Sequence, residues 1–409
     1  MRHALSALAI ATGLIAPAIH AEPLKVAIIE SLSGSQTSTG RMYSSAARYV
    51  LEQMNEQGGY NGEPIQIKDY DNGGNTSGAA SQFRQAVADG AHVIIQGSSS
   101  AVAGQITEDV RKHNIRNKGN EIVYLNMGGE ALELRGDKCH FHAFHLTTTA
   151  PMRVGPLVKV MAQEGDLGDR VYSINQAYSW GQDMEQAIKS YADTYDYEVV
   201  ETVLHEVNRI QDFAPFVAQI QAAKPSSVIT GNWSNDLLLL MKAVGDSGLD
   251  VTFGTTFLDQ VGNVANAGKM ALGHYVAHPG NAELNKDPQD AEDYKAFSGH
   301  YPVYVEPGTI NGIRLFTEAL RANDFKGGDI DVNRIALAME QARLETDIGP
   351  VSIRREDHQA IMPVVVSRVE QGVKYPADGT DMGFKPIQVV SPEDAIYPVQ
   401  ESCRMRRPD

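Results

Sequence analysis

From about residue 24 onwards, short apolar runs alternate with amphipathic stretches at helical spacing, and this alternation limits the chain to parallel sheets flanked by helices. Residues 24–29 read as a buried strand. The next helix spans about 40–57, with Ala46, Ala47, Val50, Leu51 and Met54 on one stripe and Gly58 and Gly59 ending it. Strands at 65–68, 92–96 and 121–125 then alternate with helices at about 76–89 and 100–113. The series restarts after Pro151 with a helix to Glu164, strands at 170–175, 198–204, 226–231 and 251–256, and helices at 181–195, 212–223 and 235–247. Helical patterns fill about 287–342, and β-branched residues give 351–369 strand character. The fold class is α/β, in two similar units with no low-complexity linker.

The 409 residues leave room for two or three domains with cores of their own. Arg2 and His3 precede an apolar run over 4–15, and small residues at Ala18 and Ala21 offer cleavage points, so 1–21 reads as a secretory signal, cut after Ala21 or after Ala18. No later run reaches the roughly 18 apolar residues of a membrane span, so the mature chain is expected to be soluble and exported. With 35 basic against 51 acidic residues the net charge is −16, which gives no general attraction for phosphate backbones, and nucleic acid is not an expected partner. Cys139 and Cys403 are the only cysteines, and in an oxidising compartment they are expected to form a disulfide.

Five segments carry a resemblance: 26–34 (VAIIESLSG), 55–62 (NEQGGYNG), 69–72 (DYDN), 93–100 (VIIQGSSS) and 174–181 (INQAYSWG). In this order they resemble the type I periplasmic solute-binding proteins of the leucine/isoleucine/valine-binding family, and the resemblance covers nearly all of the chain after the signal. It implies two Rossmann-like lobes joined by three hinge crossovers, a flytrap, with crossovers near 145–149, 275–279 and 349–352. Lobe 1 would then hold 22–146 and 277–349, and lobe 2 would hold 147–276 and 350–409 with the C-terminal tail. The family also implies a periplasmic, monomeric receptor that delivers a small-molecule solute to an ABC permease in the inner membrane. A ligand-sensing regulatory protein on the same scaffold needs the same cleft, and the sequence leaves both readings open.

Ser98, Ser99 and Ser100 follow the strand at 92–96 and open a helix. Backbone amides, a positive helix end and three hydroxyls converge there, which suits a carboxylate or another acceptor-rich group, although one serine also serves as a helix cap. In the family the first serine of this run contacts the bound carboxylate, and Ser98 matches it. The family's next element is a small-residue turn, here 126–131 (NMGGEA), in which Gly128 and Gly129 permit close backbone approach and Glu130 stands where the family has a threonine. A carboxylate there repels another carboxylate unless it is paired or protonated, or it turns away to cap the following helix. Tyr178, Trp180 and Trp233 fall in loops at the carboxyl ends of expected strands, where open α/β folds bind ligands. Phe257 replaces the glutamate that holds the ammonium group in the amino-acid binders, with Asp259 two residues later. The expected solute is amino-acid-like or an aromatic carboxylate or amide, rather than an aliphatic amino acid.

His140 and His142 would share one face of a strand with Phe144 while His145 points oppositely, and no third ligand has diagnostic spacing, so a structural role is expected and no metal site. The chain has no G-x-G-x-x-G, no spaced P-loop and no G-x-S-x-G turn. No catalytic residue and no cofactor are expected.

Overall fold

The computed structural model describes residues 22–323 and 329–408; the segment read as a signal, 1–21, lies outside them. Strands β1 (Lys25–Glu30), β2 (Gln66–Asp71), β3 (Val93–Gln96), β4 (Val123–Asn126) and β5 (Ala143–His145) form a parallel sheet in the order β2-β1-β3-β4-β5. Successive side chains of a strand face opposite ways, and here both faces are covered, which is why the runs 26–29 of β1 and 93–95 of β3 are apolar. Val26, Ile28, Val93 and Ile95 pack with Met42, Ala46 and Val50 of the helix Thr37–Glu56. Ala27, Ile29 and Ile94 pack on the other side with Phe83 of the helix Thr76–Ala88 and Ile106 of the helix Ser100–Arg116.

After the helix Ala150–Glu164 the chain builds β6 (Arg170–Gln176), β7 (Glu198–His205), β8 (Ser227–Thr230), β9 (Thr252–Thr255) and β10 (Tyr275–His278). Three helices follow, Gln289–Ser298, Glu306–Ala322 and Val332–Gln341. They return to the first sheet's side, where Tyr294 meets Tyr49 edge-on at 5.2 Å between ring centroids. A small antiparallel sheet of β11 (Arg343–Thr346), β12 (Gly349–Ile353) and β13 (Ala360–Ile361) comes next. Then β14 (Val364–Gln371) and β15 (Met382–Val390) complete a seven-stranded sheet in the order β15-β14-β10-β9-β8-β6-β7, antiparallel only at β14 and β15.

The passage between sheets expected near 349–352 falls later. β12 pairs with β11 and β13, Gln359 bridges to His145 at the end of β5, and the chain enters the seven-stranded sheet only at Val364. The disulfide between Cys139 and Cys403 is present and fastens the tail to the first sheet's side. Nearby, the Arg407 guanidinium pairs with Glu340 and lies 5.6 Å from the Phe141 ring centroid.

Candidate functional site

The loops and helix starts that follow β1, β3, β4, β6, β8 and β9 converge on one cavity. From the first sheet come Thr39 and Tyr43, Gly97 with Ser98, Ser99 and Ser100, and Gly128 with Glu130. Facing them are Tyr178, Trp180, Trp233 and Phe257, and Tyr304 closes the ring from the turn before the helix Glu306–Ala322. The room left between them is about 20 Å³, enough for about one water molecule, so the two sides of the cleft stand close together.

The serine loop differs from the open anion cradle expected of it. The amides of Gly97 and Ser98 already donate to the buried Glu30 carboxylate at the end of β1, from Ser98 at 3.2 and 3.3 Å. Burial pushes Glu30 up to about 7, with the Ser98 side chain and the amides pulling it back. The Ser98 hydroxyl nevertheless makes no well-formed hydrogen bond. Ser99 is the helix N-cap with φ of +79° and no side-chain capping bond. The Ser100 hydroxyl accepts from the amides of Glu130 at 3.1 Å and Ala131 at 3.2 Å, which ties the two loops together.

A Cβ at Gly128 would lie 1.9 Å from the Tyr43 hydroxyl, so glycine here lets that ring cross the loop. Gly129 does not line the cavity: its amide donates to Asn126 Oδ1 at 2.6 Å and its carbonyl accepts from Asn126 and Arg135. Glu130 is 2% exposed and caps nothing. Its Oε1 accepts from Thr147 at 2.8 Å, Thr148 at 2.9 Å and the Arg153 guanidinium at 2.6 Å, while Oε2 has no partner. Arg153 also donates to Thr148 and to the carbonyls of Thr256 and Ala277, and its guanidinium sits 4.6 Å over the Phe257 ring.

On the opposite side the aromatic residues hold one another. Trp233 Nε1 donates to the Tyr178 hydroxyl at 2.7 Å, and Trp180 Nε1 donates to the Gly231 carbonyl at 2.8 Å. Phe257 packs at 5.5 Å from Trp180 and edge-on at 5.8 Å from Tyr304. Asp259 is turned away from this cavity and pairs with His278 Nδ1 at 2.8 Å, beside a neighbouring cavity that shares Tyr304. Bonds outside the cavity also link the cleft's sides, among them the Leu132 amide donating to Asp183 at 2.7 Å and the Ser234 hydroxyl to the Ser35 carbonyl at 3.4 Å.

Thr39, Tyr43, Gly97 and Tyr304 were not singled out by sequence. Thr39 and Tyr43 follow β1 at helical i, i+4 spacing, a usable signal, whereas Tyr304 has none. The segment 139–145 is strand only from Ala143 to His145. His140, driven down to about 3 by burial, bonds the Thr107 carbonyl; His142 bonds Asn333 and His145 bonds Asn126. Among the described residues no group of three ligating side chains is placed to hold a metal ion.

The fold and cleft define a bilobed periplasmic binding protein, and the periplasmic binding protein family model matches residues 23–374. The chain belongs to that family, as a type I member of the leucine/isoleucine/valine-binding group. It is 54% identical over 390 residues to Leu/Ile/Val-binding protein homolog 4 of Brucella abortus (strain 2308), covering 95% of this chain and 94% of the relative. A closed-conformation crystal structure of a leucine-, isoleucine-, valine-, threonine-, and alanine-binding protein from Brucella ovis superposes with a TM-score of 0.90 at 54% identity, over 95% of this chain and 100% of that one. An R. palustris ABC-transporter solute-binding protein in complex with benzoate shares the fold, with a TM-score of 0.77 at 17% identity over 93% and 99% of the two chains.

Proposed function

We propose that the protein is the solute receptor of an ABC importer, closing over one small organic molecule and presenting the closed form to an inner-membrane permease. The observation that carries this reading is a small cavity lined by loops from both large sheets, polar on one side and aromatic on the other. The solute is flat or apolar in body, amino-acid-like or an aromatic carboxylate or amide, and lies between Ser98, Glu130 and the rings of Tyr178, Trp180, Trp233 and Phe257. The relatives' names support amino-acid-like solutes, and neighbours of the same fold that hold benzoate or 4-hydroxybenzoate support a planar one.

The lobes divide where the chain passes between sheets, so 147–278 and 364–390 form the second. Export to the periplasm through a signal at 1–21 and a monomeric state complete the reading. The test is a thermal-shift screen over amino acids, aromatic carboxylates, amides and polyamines, because a ligand that binds only the native state raises the melting temperature. The expected result is stabilisation by one chemical class, with the solute recovered unchanged. If Ser98→Ala and Trp233→Ala both leave the affinity of the best solute unchanged, this placement of the site is wrong.

A further inference from the structure

On the first sheet's side of the cleft, many of the groups that would welcome an anion are already engaged, although the amides of Ser99, Ser100 and Ala101 at the helix start have no hydrogen-bond partner among the described residues. The amides of Gly97 and Ser98 serve Glu30, that of Gly129 serves Asn126, and those of Glu130 and Ala131 serve Ser100. The nearest guanidinium, Arg153, is bound to Glu130, to Thr148 and to two backbone carbonyls, and is covered by Phe257. Among the described residues no lysine, arginine or histidine lines the cavity.

Among the side chains, what is left unsatisfied has the opposite sense. Glu130 lines the cavity, is 2% exposed, and keeps one carboxylate oxygen, Oε2, without a partner; the Ser98 hydroxyl, which lines the same cavity and faces Glu30, makes no well-formed hydrogen bond. Buried polar atoms are almost always hydrogen-bonded in a native complex, so the occupant is the natural source of the missing donor. The facing rings act in the same direction, since aromatic faces attract cations and polarised N–H groups and offer nothing to an anion.

We infer that the solute is anchored as a hydrogen-bond donor, an amine or a carboxamide carrying no net negative charge, whose N–H is taken by Glu130 Oε2 with Ser98 Oγ at the adjoining polar atom. This narrows the receptor reading above and rests on it. A benzoate-like anion would bring a carboxylate against the free oxygen of Glu130 with no cation to spare. The departure from the family's threonine at 130 thus adds an unpaired acceptor to the first lobe's contribution.

The test uses matched triples on the wild-type protein: benzylamine, benzamide and benzoate; isobutylamine, isobutyramide and isobutyrate. Each is screened by thermal shift and titrated calorimetrically. The expected result is that, on at least one skeleton, the amine or the amide binds at least tenfold tighter than the carboxylate, and that Glu130→Gln removes that preference. The wild-type comparison stands even where the variant folds poorly. A carboxylate that binds as tightly as its amine and amide partners overturns the inference and leaves the receptor reading intact. Silence from every amine and amide also overturns it, and if the wider solute screen is silent too, the receptor reading falls with it.

Discussion

The carboxylate of Glu130 and the guanidinium of Arg153 lie 2.6 Å apart, both almost fully buried, and join the loop after β4 to the helix that opens the second half of the chain. A buried charge that loses its partner costs about 3–5 kcal/mol. Arg153→Met is expected to destabilise the protein by that order in chemical unfolding. Glu130→Gln, which keeps a neutral acceptor for the guanidinium, is expected to cost less. Equal losses in the two variants would contradict this ordering.

Glu30 predicts a pH dependence. Its folded pKa is raised from 4.5 to about 7 by burial, so between those values the folded protein keeps a proton that the unfolded chain has released. Stability from this group is therefore full below pH 4.5, falls as the pH rises towards 7, and is flat above. The whole change is about 3 kcal/mol. Thermal midpoints measured from pH 5 to pH 8 should show the decline in the wild type and a shallower one in Glu30→Gln. The same slope in both would place the titrating group elsewhere.

The Cys139–Cys403 bond closes a loop of 264 residues, for which chain entropy gives about 5 kcal/mol of stabilisation before native-state strain reduces it. Non-reduced, denatured protein is expected to yield no free thiol. Cys139→Ser with Cys403→Ser should unfold at a lower denaturant concentration while keeping the two parallel sheets.

Much of this architecture was legible because its strands are buried on both faces. A run such as Val26, Ala27, Ile28 and Ile29 leaves little choice once helices flank it. β15 was not legible, since Gly383, Lys385 and Pro386 interrupt it; it survives as an edge strand, where a missing amide is tolerated. Ser98, Glu130, Trp180 and Trp233 could be singled out because they follow parallel strands, and they line one cavity. Gly129 was misplaced because its neighbour does line the cavity while its own amide turns inward to Asn126. Asp259 was misplaced because His278, distant in sequence, holds it. The occupation of the serine-loop amides by Glu30 depends on a contact across 67 residues, which no local pattern announces.

Trp233 tests the aromatic side of the cleft. Trp233→Ala removes the ring that bonds Tyr178, and is expected to weaken the best solute of the screen at least tenfold, about 1.4 kcal/mol, with the protein still folded. Calorimetric titration beside a circular-dichroism spectrum separates lost binding from lost structure. Undiminished affinity in the folded variant would remove Trp233 from the site.

The central claim is that two lobes close over a solute in the cavity between Ser98, Glu130 and Trp233. Small-angle X-ray scattering, on the protein alone and saturated with its tightest-binding solute, tests it most directly. The account predicts a smaller radius of gyration in the bound state. An unchanged scattering curve at confirmed saturation would contradict it.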